Sequence, residues 1–343
     1  MSPRTSPLPF RLSVLDQSPI PEGSTAGDAL RNSLDLAQAA DRLGYYRYWV
    51  AEHHGTPALA CNSPEVLIGP LAAATSRMRI GSGGIMLPHY SPLKVAENFS
   101  MLSSLYPNRI DLGIGRAAGT SPSVSAALQR DRRQLSPDDF PEQLDELLNY
   151  FAAGHPGGNP FRLLPTVPFV SPEIALLGSS EQSAIWAAEL GLPYVFADFI
   201  NPSGAPLAAH YRSAFRPSDR LQKPYVAVAA WVVCAPTDEE AFLLSASARM
   251  MFALMFRGRL IQVPSVERAE RFLADEGMSA ENAVPGRRFI TGSPAKVQAA
   301  VSALAASYGA DEVFAVNILH DHAARRRSYE LLAGAFAEHL SAA

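Results

Sequence analysis

RIGSGGIMLPHYSPLKVAENFSMLSSLYPNRIDLGIG, residues Arg79–Gly115, is the stretch whose reading decides the architecture. It opens with a short run of small and apolar residues, Arg79–Leu87, continues through an amphipathic stretch, Pro92–Leu105, and closes on a second apolar run, Arg109–Gly115. Both short runs are apolar on their two faces, which predicts strands covered by helices on one side and by core on the other. A strand, a helix and a second buried strand in this order predict a parallel pair with a right-handed crossover.

Outward from this unit the same alternation fills the chain. Further strands are predicted over Arg11–Asp16, Tyr46–Val50, Glu173–Gly178, Tyr194–Ala197, Tyr225–Val233 and Glu312–Ile318. Helices are predicted over Thr25–Leu43, Pro64–Ser76, Pro137–Ala153, Glu181–Leu190, Asp238–Phe256 and Pro294–Tyr308. Ser63-Pro64 and Ser293-Pro294 place a capping serine before a proline at the first helical position, and Gly44, Gly191 and Gly309 sit where helices should stop. Eight strands favour closure into a TIM (β/α)8 barrel over an open doubly wound sheet. No glycine-rich turn follows the first strand, where a dinucleotide-binding half carries one. Two stretches break the rhythm, approximately 117–136 and 257–288, and read as loop insertions on one α/β domain spanning 1–343.

Composition narrows the function classes. The 343 residues are 48% hydrophobic and 18% charged, which excludes a disordered or coiled-coil chain. A net charge of -4 offers no general attraction to nucleic acid. Lysine occurs only at Lys94, Lys223 and Lys296, an arginine bias that fits a GC-rich genome. Cys61 and Cys234 are too few and too far apart for a disulfide framework or a zinc site. The proline-rich Met1–Phe10 lacks the apolar core of a signal peptide, and no run of about 18 apolar residues could span a bilayer. A soluble, cytoplasmic protein is expected.

In a barrel the chemistry sits at the C-terminal ends of the strands. The second strand leaves through Glu52-His53-His54, whose imidazoles can hydrogen-bond or exchange a proton near neutral pH. The alternative is a packed histidine, more so for His54 than for His53. Three consecutive residues do not converge on one metal ion, so no metal is predicted. Gly81, Gly83 and Gly84 in the third strand point either to a bulge and close ligand approach or to tight packing. Arg116 leaves the fourth strand among small residues, placed either to grip a phosphate in a fork or to pair with a neighbouring acid. Gly178-Ser179-Ser180 opens a helix, where free N–H groups and hydroxyls suit an anion and one serine suffices as a cap. Together, Arg116 and the serine pair predict a phosphate clamp. His320-Asp321-His322 reads as a solvated helix start, Arg325–Arg327 as a surface face, and Trp49, Trp186 and Trp231 as packing residues.

With these segments in place, the chain resembles the bacterial luciferase-like, flavin-dependent monooxygenases. The resemblance is carried by LDQSP (Leu15–Pro19), WVAEHHG (Trp49–Gly55), GSGGIMLPHYSPLKVAE (Gly81–Glu97) and YPNRIDLGIGRA (Tyr106–Ala117). Gly178-Ser179-Ser180 with Trp186-Ala187-Ala188, and TGSPAKV (Thr291–Val297), continue it in the same order. It implies a TIM barrel binding FMN through Gly83, Gly84, Arg116, Ala118, Ser179, Ser180 and Ser183, with His53 and His54 as the catalytic pair. Gly83-Gly84 matches a site where the family often has a non-proline cis peptide. Where the light-emitting members carry a cysteine this chain has Gly115, so luminescence is not implied. The implied reaction is that of reduced FMN with O2 through a C4a-(hydro)peroxide, transferring one oxygen atom to a small organic substrate. Hydroxylation or epoxidation in polyketide-like secondary metabolism would fit. A separate NAD(P)H:flavin reductase, a homodimer, and a lid over 257–288 belong to the same expectation. The rivals are an F420-dependent hydride-transfer enzyme on the same barrel and a non-catalytic flavin-binding protein.

Overall fold

A computed structural model of the chain describes residues 10–116, 121–128, 139–152, 169–278 and 284–337. In chain order the elements are β1 Arg11–Asp16, α1 Ala26–Leu43, β2 Arg47–Val50, α2 Pro64–Ala74, β3 Arg79–Met86, α3 Pro92–Leu105, β4 Ile110–Gly115, α4 Pro122–Leu128, α5 Phe140–Tyr150, β5 Glu173–Gly178 and α6 Glu181–Glu189. They continue as β6 Tyr194–Ala197, α7 Ala205–Ala214, β7 Val226–Cys234, α8 Asp238–Phe256, α9 Val266–Asp275, β8 Phe289–Gly292, α10 Pro294–Tyr308, β9 Glu312–Val316 and α11 His322–Ala335. Every neighbouring strand pair is parallel, from β1–β2 through β5–β6, then β6–β7, β7–β9 and β9–β1, which closes an eight-stranded ring. The expected (β/α)8 barrel is therefore present.

The eight expected strands fall within two residues of their observed bounds. The ninth, β8, pairs outside the ring with the last residues of β7, Trp231–Cys234. Its four residues, Phe-Ile-Thr-Gly, carry only two apolar side chains and adjoin the stretch read as an insertion. Helix α7 also lies where the sequence reading assigns none, and α11 follows the helix start read at His320–His322, to which that reading gives no bounds. The Gly204 that precedes α7 offers no capping side chain.

Helix ends follow local chemistry. Thr25 and Asp28 form a reciprocal capping box on α1, and Gly44 ends that helix in the left-handed region at φ 86°. Gly191 and Gly309 also have positive φ. Ser63 and Ser293, by contrast, make no side-chain cap bond, so the prolines at the helix start define those entries.

Side chains alternate across each barrel strand. Tyr48 and Val50 of β2 pack outward beneath the helices, whereas Trp49 and Ala51 point into the barrel with Leu15, Ala175, Ala227, Ala229, Trp231 and Phe314. The many alanines inside leave volume unfilled at one end. The opposite end, formed by the strand N-termini, is plugged by charge: Arg47 lies 2.6 Å from Asp111, 2.9 Å from Glu173 and 3.3 Å from Glu312, and Arg79 lies 2.6 Å from Asp111. The site is consequently confined to the C-terminal mouth.

A second buried ion pair corrects the sequence reading of Arg325–Arg327 as a surface face. Arg325, on α11, is 1% exposed and reaches Asp16 at the end of β1, Nη2 to Oδ1, at 2.6 Å. Arg326 is half-buried and Arg327 exposed, beside Asp35 and Glu330 respectively. Only one arginine of three consecutive residues faces inward, as the helical period requires. His320 is half-buried, Asp321 caps α11, and His322 Nε2 lies 2.9 Å from Asp35 Oδ2. No helix among the described residues is long and apolar enough to cross a membrane.

Candidate active site

The mouth of the barrel encloses a cavity of about 430 Å³, within the range of small-molecule sites. Its wall brings together His53, Gly83, Gly84, Gly115, Arg116, Gly178, Ser179, Ser180 and Ser183, from the exits of β2, β3, β4 and β5. Ala118 lies outside the described residues, as does most of the 117–136 segment apart from the region of α4.

β4 and β5 are paired, with Ile114 beside Leu176, so their exits are neighbours. That adjacency places Arg116 next to the start of α6. The exposed Arg116 guanidinium stands 5.4 Å from the centre of the Trp186 ring on α6, a cation–π distance. Trp186 also packs against Phe140, at 5.3 Å between centres. Ser180 is the N-cap of α6, its hydroxyl accepting from the Ser183 N–H at 3.5 Å. The Ser183 hydroxyl is buried and donates to the Ser180 carbonyl at 2.7 Å. Ser179 is half-buried, and its carbonyl accepts from Asn201 Nδ2 at 3.1 Å. A side chain at Gly178 would collide with Ser183.

The Gly83–Gly84 peptide bond is cis. The register of β3 on β4 shifts there, with Gly83 opposite Gly113 and Ile85 opposite Ile114, which is the expected bulge. A Cβ at Gly83 would come within 2.5 Å of Leu15 Cδ1, and one at Gly84 within 2.7 Å of the Gly113 carbonyl oxygen. Close packing and cavity lining are thus both true of these glycines. Gly81 is packed alone: its Cβ would meet the Asp111 carbonyl at 2.6 Å, and it does not line the cavity.

The two histidines part company. Buried Glu52 accepts from the Met86 N–H at 2.8 Å through Oε2, and its Oε1 lies 2.6 Å from His54 Nε2. His54, whose ring also meets His89 edge-on at 5.8 Å, is not in the wall of the cavity. His53 is in the wall, and burial pushes its imidazole down to about 4, so it is neutral at pH 7. Its Nδ1 is buried and meets no hydrogen-bond partner among the described residues. Among those residues no cluster of His, Cys, Asp and Glu could hold a metal ion.

Several wall residues carry no legible signal in the sequence. Gln17 lines the cavity from the β1 exit, inside the Leu15–Pro19 segment that carries the resemblance. The turn that carries it is held by Asp16, which accepts from the Ser18 N–H at 2.7 Å and from the Tyr48 hydroxyl at 2.5 Å. Phe199 and Ile200 close another side from the turn after β6. Beyond them, a smaller space is lined in part by Leu260, Ile261 and Arg287 from the 257–288 stretch, of which 279–283 lie outside the described residues.

The model of the family described as luciferase-like monooxygenase matches residues 10–312. The chain is 41% identical to a luciferase-like monooxygenase of Escherichia coli K12 over 326 residues, covering 93% of this chain and 95% of that one. The solved structure of apo-MsnO8 superposes with a TM-score of 0.86 at 41% identity, over 96% of this chain and 98% of that one. The oxygenating constituent of 3,6-diketocamphane monooxygenase from Pseudomonas putida, solved in complex with FMN, shares the fold, with a TM-score of 0.70 at 22% identity over 94% and 96% of the two chains.

Proposed function

Because this chain belongs to the luciferase-like monooxygenase family, and so is an oxygen-using oxidoreductase, we propose that it employs reduced FMN to place one atom of O2 into a small organic substrate. The observation that carries the cofactor assignment is the composition of one cavity wall. It combines a guanidinium, two hydroxyls at a helix N-terminus and a stretch of bare glycine backbone.

That donor set suits a phosphate monoester attached to a flat ring. Arg116 would grip the phosphate while Ser179, Ser180 and the free N–H groups of α6 complete its hydrogen bonds, with Ser183 fixing the turn. Gly83 and Gly84 present no side chain and so leave room for the ring. FMN bound there in its reduced form supplies two electrons to O2, one oxygen atom entering the substrate and the other leaving as water. Leu15, Trp49, Val195, Phe199 and Phe314 keep the cavity apolar and exclude water from the reacting groups. His53, neutral and unpartnered at Nδ1, offers a hydrogen bond without bringing charge into this dry space. His54 acts through Glu52, which fixes the Met86 backbone at the end of β3.

The same reading places FMN reduction on a separate reductase, since β1 runs into Gln17-Ser18-Pro19 and not into a glycine-rich dinucleotide turn. Val66 on α2 and Met101 and Leu105 on α3 are 61–70% exposed apolar side chains on the outer helices, which is compatible with pairing of two copies through that face. The relative with bound FMN supports the cofactor by likeness of fold. The deciding experiment titrates the protein with FMN, reduced FMN and F420, and then follows 18O2 incorporation over a panel of organic substrates. Reduced FMN binding with one labelled atom per product is expected. Tight F420 binding with indifference to reduced FMN would overturn the assignment.

A further inference from the structure

Beside the large cavity lies a second, of about 200 Å³, that shares Gln17, His53, Phe199 and Ile200 with it. Apart from Thr56 its other walls are apolar, built by Trp231, Met251 and Phe252 beneath and by Leu260 and Ile261 from the insertion. His53 being neutral at pH 7, Arg287 is the one charged residue lining this space among the described residues. The guanidinium is fixed on one edge: Nη1 donates to the Phe199 carbonyl at 2.6 Å, and the group lies 5.5 Å from the centre of the Phe256 ring. No carboxylate among the described residues pairs with it. Burial lowers its affinity for a proton, yet an arginine stays charged under all ordinary conditions. Arg287 is half-buried, so solvent screens part of its charge, but an anion entering the cavity would meet a cation that no carboxylate among the described residues already holds. The guanidinium has donors left over, and its planar fork matches a carboxylate at two points.

We propose that this second cavity is the substrate site and that Arg287 selects molecules pairing an apolar body with a terminal carboxylate. The carboxylate docks on Arg287 and the apolar body runs along Trp231 and Met251 toward the wall shared with His53. Calling the occupant a substrate rests on the oxygenase reading above; its preference for acids does not.

The test measures binding to the full-length, FMN-free protein at pH 7.5 by calorimetry and by quenching of tryptophan fluorescence. The probes are 4-phenylbutyrate and 4-phenylbutanamide, which share an apolar body and differ in charge. The acid is expected to bind at least about ten-fold more tightly than the amide, as a charge-assisted pair implies. In Arg287→Gln that preference should vanish while amide binding persists, which also reports an intact fold. If Arg287→Gln does not fold, Arg287→Lys, which keeps the charge but loses the fork, should lose at least about three-fold of the preference. Equal binding of acid and amide to the wild type, no binding of either, or an unchanged preference in the variants overturns the proposal. FMN affinity measured in parallel separates the two readings: acid preference without FMN binding overturns only the cofactor, and the reverse only the role of Arg287.

Discussion

Replacing Arg325 by methionine should destabilise the protein by about 3 kcal/mol at neutral pH, and by less in acid. Breaking one side of a buried ion pair costs about 3–5 kcal/mol, because the surviving charge is left in a poor solvent without its partner. Asp16 is fully buried and would lose the Arg325 contact at 2.6 Å. It would keep the Tyr48 hydroxyl at 2.5 Å and the Ser18 N–H at 2.7 Å, which puts the loss near the lower bound. The Asn317 carbonyl would also lose the Arg325 Nε donor at 3.1 Å. In the wild type, burial by itself would raise the Asp16 carboxyl, but the guanidinium, helped by Ser33, Tyr48 and Ser18, holds it below its ordinary value. Its stabilisation is therefore complete above the unfolded-state pKa and is lost only as pH falls through the lower folded one. In Arg325→Met the cation is gone, burial prevails, and the folded carboxyl binds a proton before the unfolded one does. Acid then relieves the variant, so its deficit should shrink between pH 7 and pH 5. Urea unfolding followed by circular dichroism at both pH values measures this. A deficit below about 1 kcal/mol, the level of a surface pair, or one that does not change with pH, would refute the reasoning. Adding Asp16→Asn to the variant should recover part of the loss, since no buried charge then remains.

Three further outcomes follow from the site. Arg116→Ala should weaken FMN binding by about ten- to hundred-fold, the worth of a charge-assisted hydrogen bond, with the melting temperature nearly unchanged because the side chain is exposed; flavin fluorescence reads this. His53, held neutral down to about pH 4, should contribute stability that grows with pH between that value and its ordinary 6.5, since the unfolded chain binds the extra proton there; a wild-type minus His53→Gln difference in unfolding free energy that is flat from pH 4 to 7 would contradict it. Gly84→Ala should destabilise the barrel by about 1–3 kcal/mol, because its Cβ would meet the Gly113 carbonyl at 2.7 Å and backbone cannot step aside; thermal unfolding checks it.

The sequence by itself determined the barrel, because its cues are local. Buried strands, proline entries and glycine stops recur at a fixed spacing, and a parallel strand–helix–strand unit closes in few ways. For the same reason it determined which strand exits carry Arg116, the Gly178–Ser180 turn and His53. Tertiary structure alone decided what those exits face. Glu52, His53 and His54 are consecutive, yet folding sends His53 to the cavity and joins the other two to each other behind it. Arg325 and Asp16 are 309 positions apart, so nothing local marks one arginine of three as buried. The small cavity is likewise assembled from β7, α8 and a long insertion, segments that meet only once the barrel is closed. Spacing along a chain records neighbours within one element, whereas burial and charge pairing depend on which elements come together across the fold.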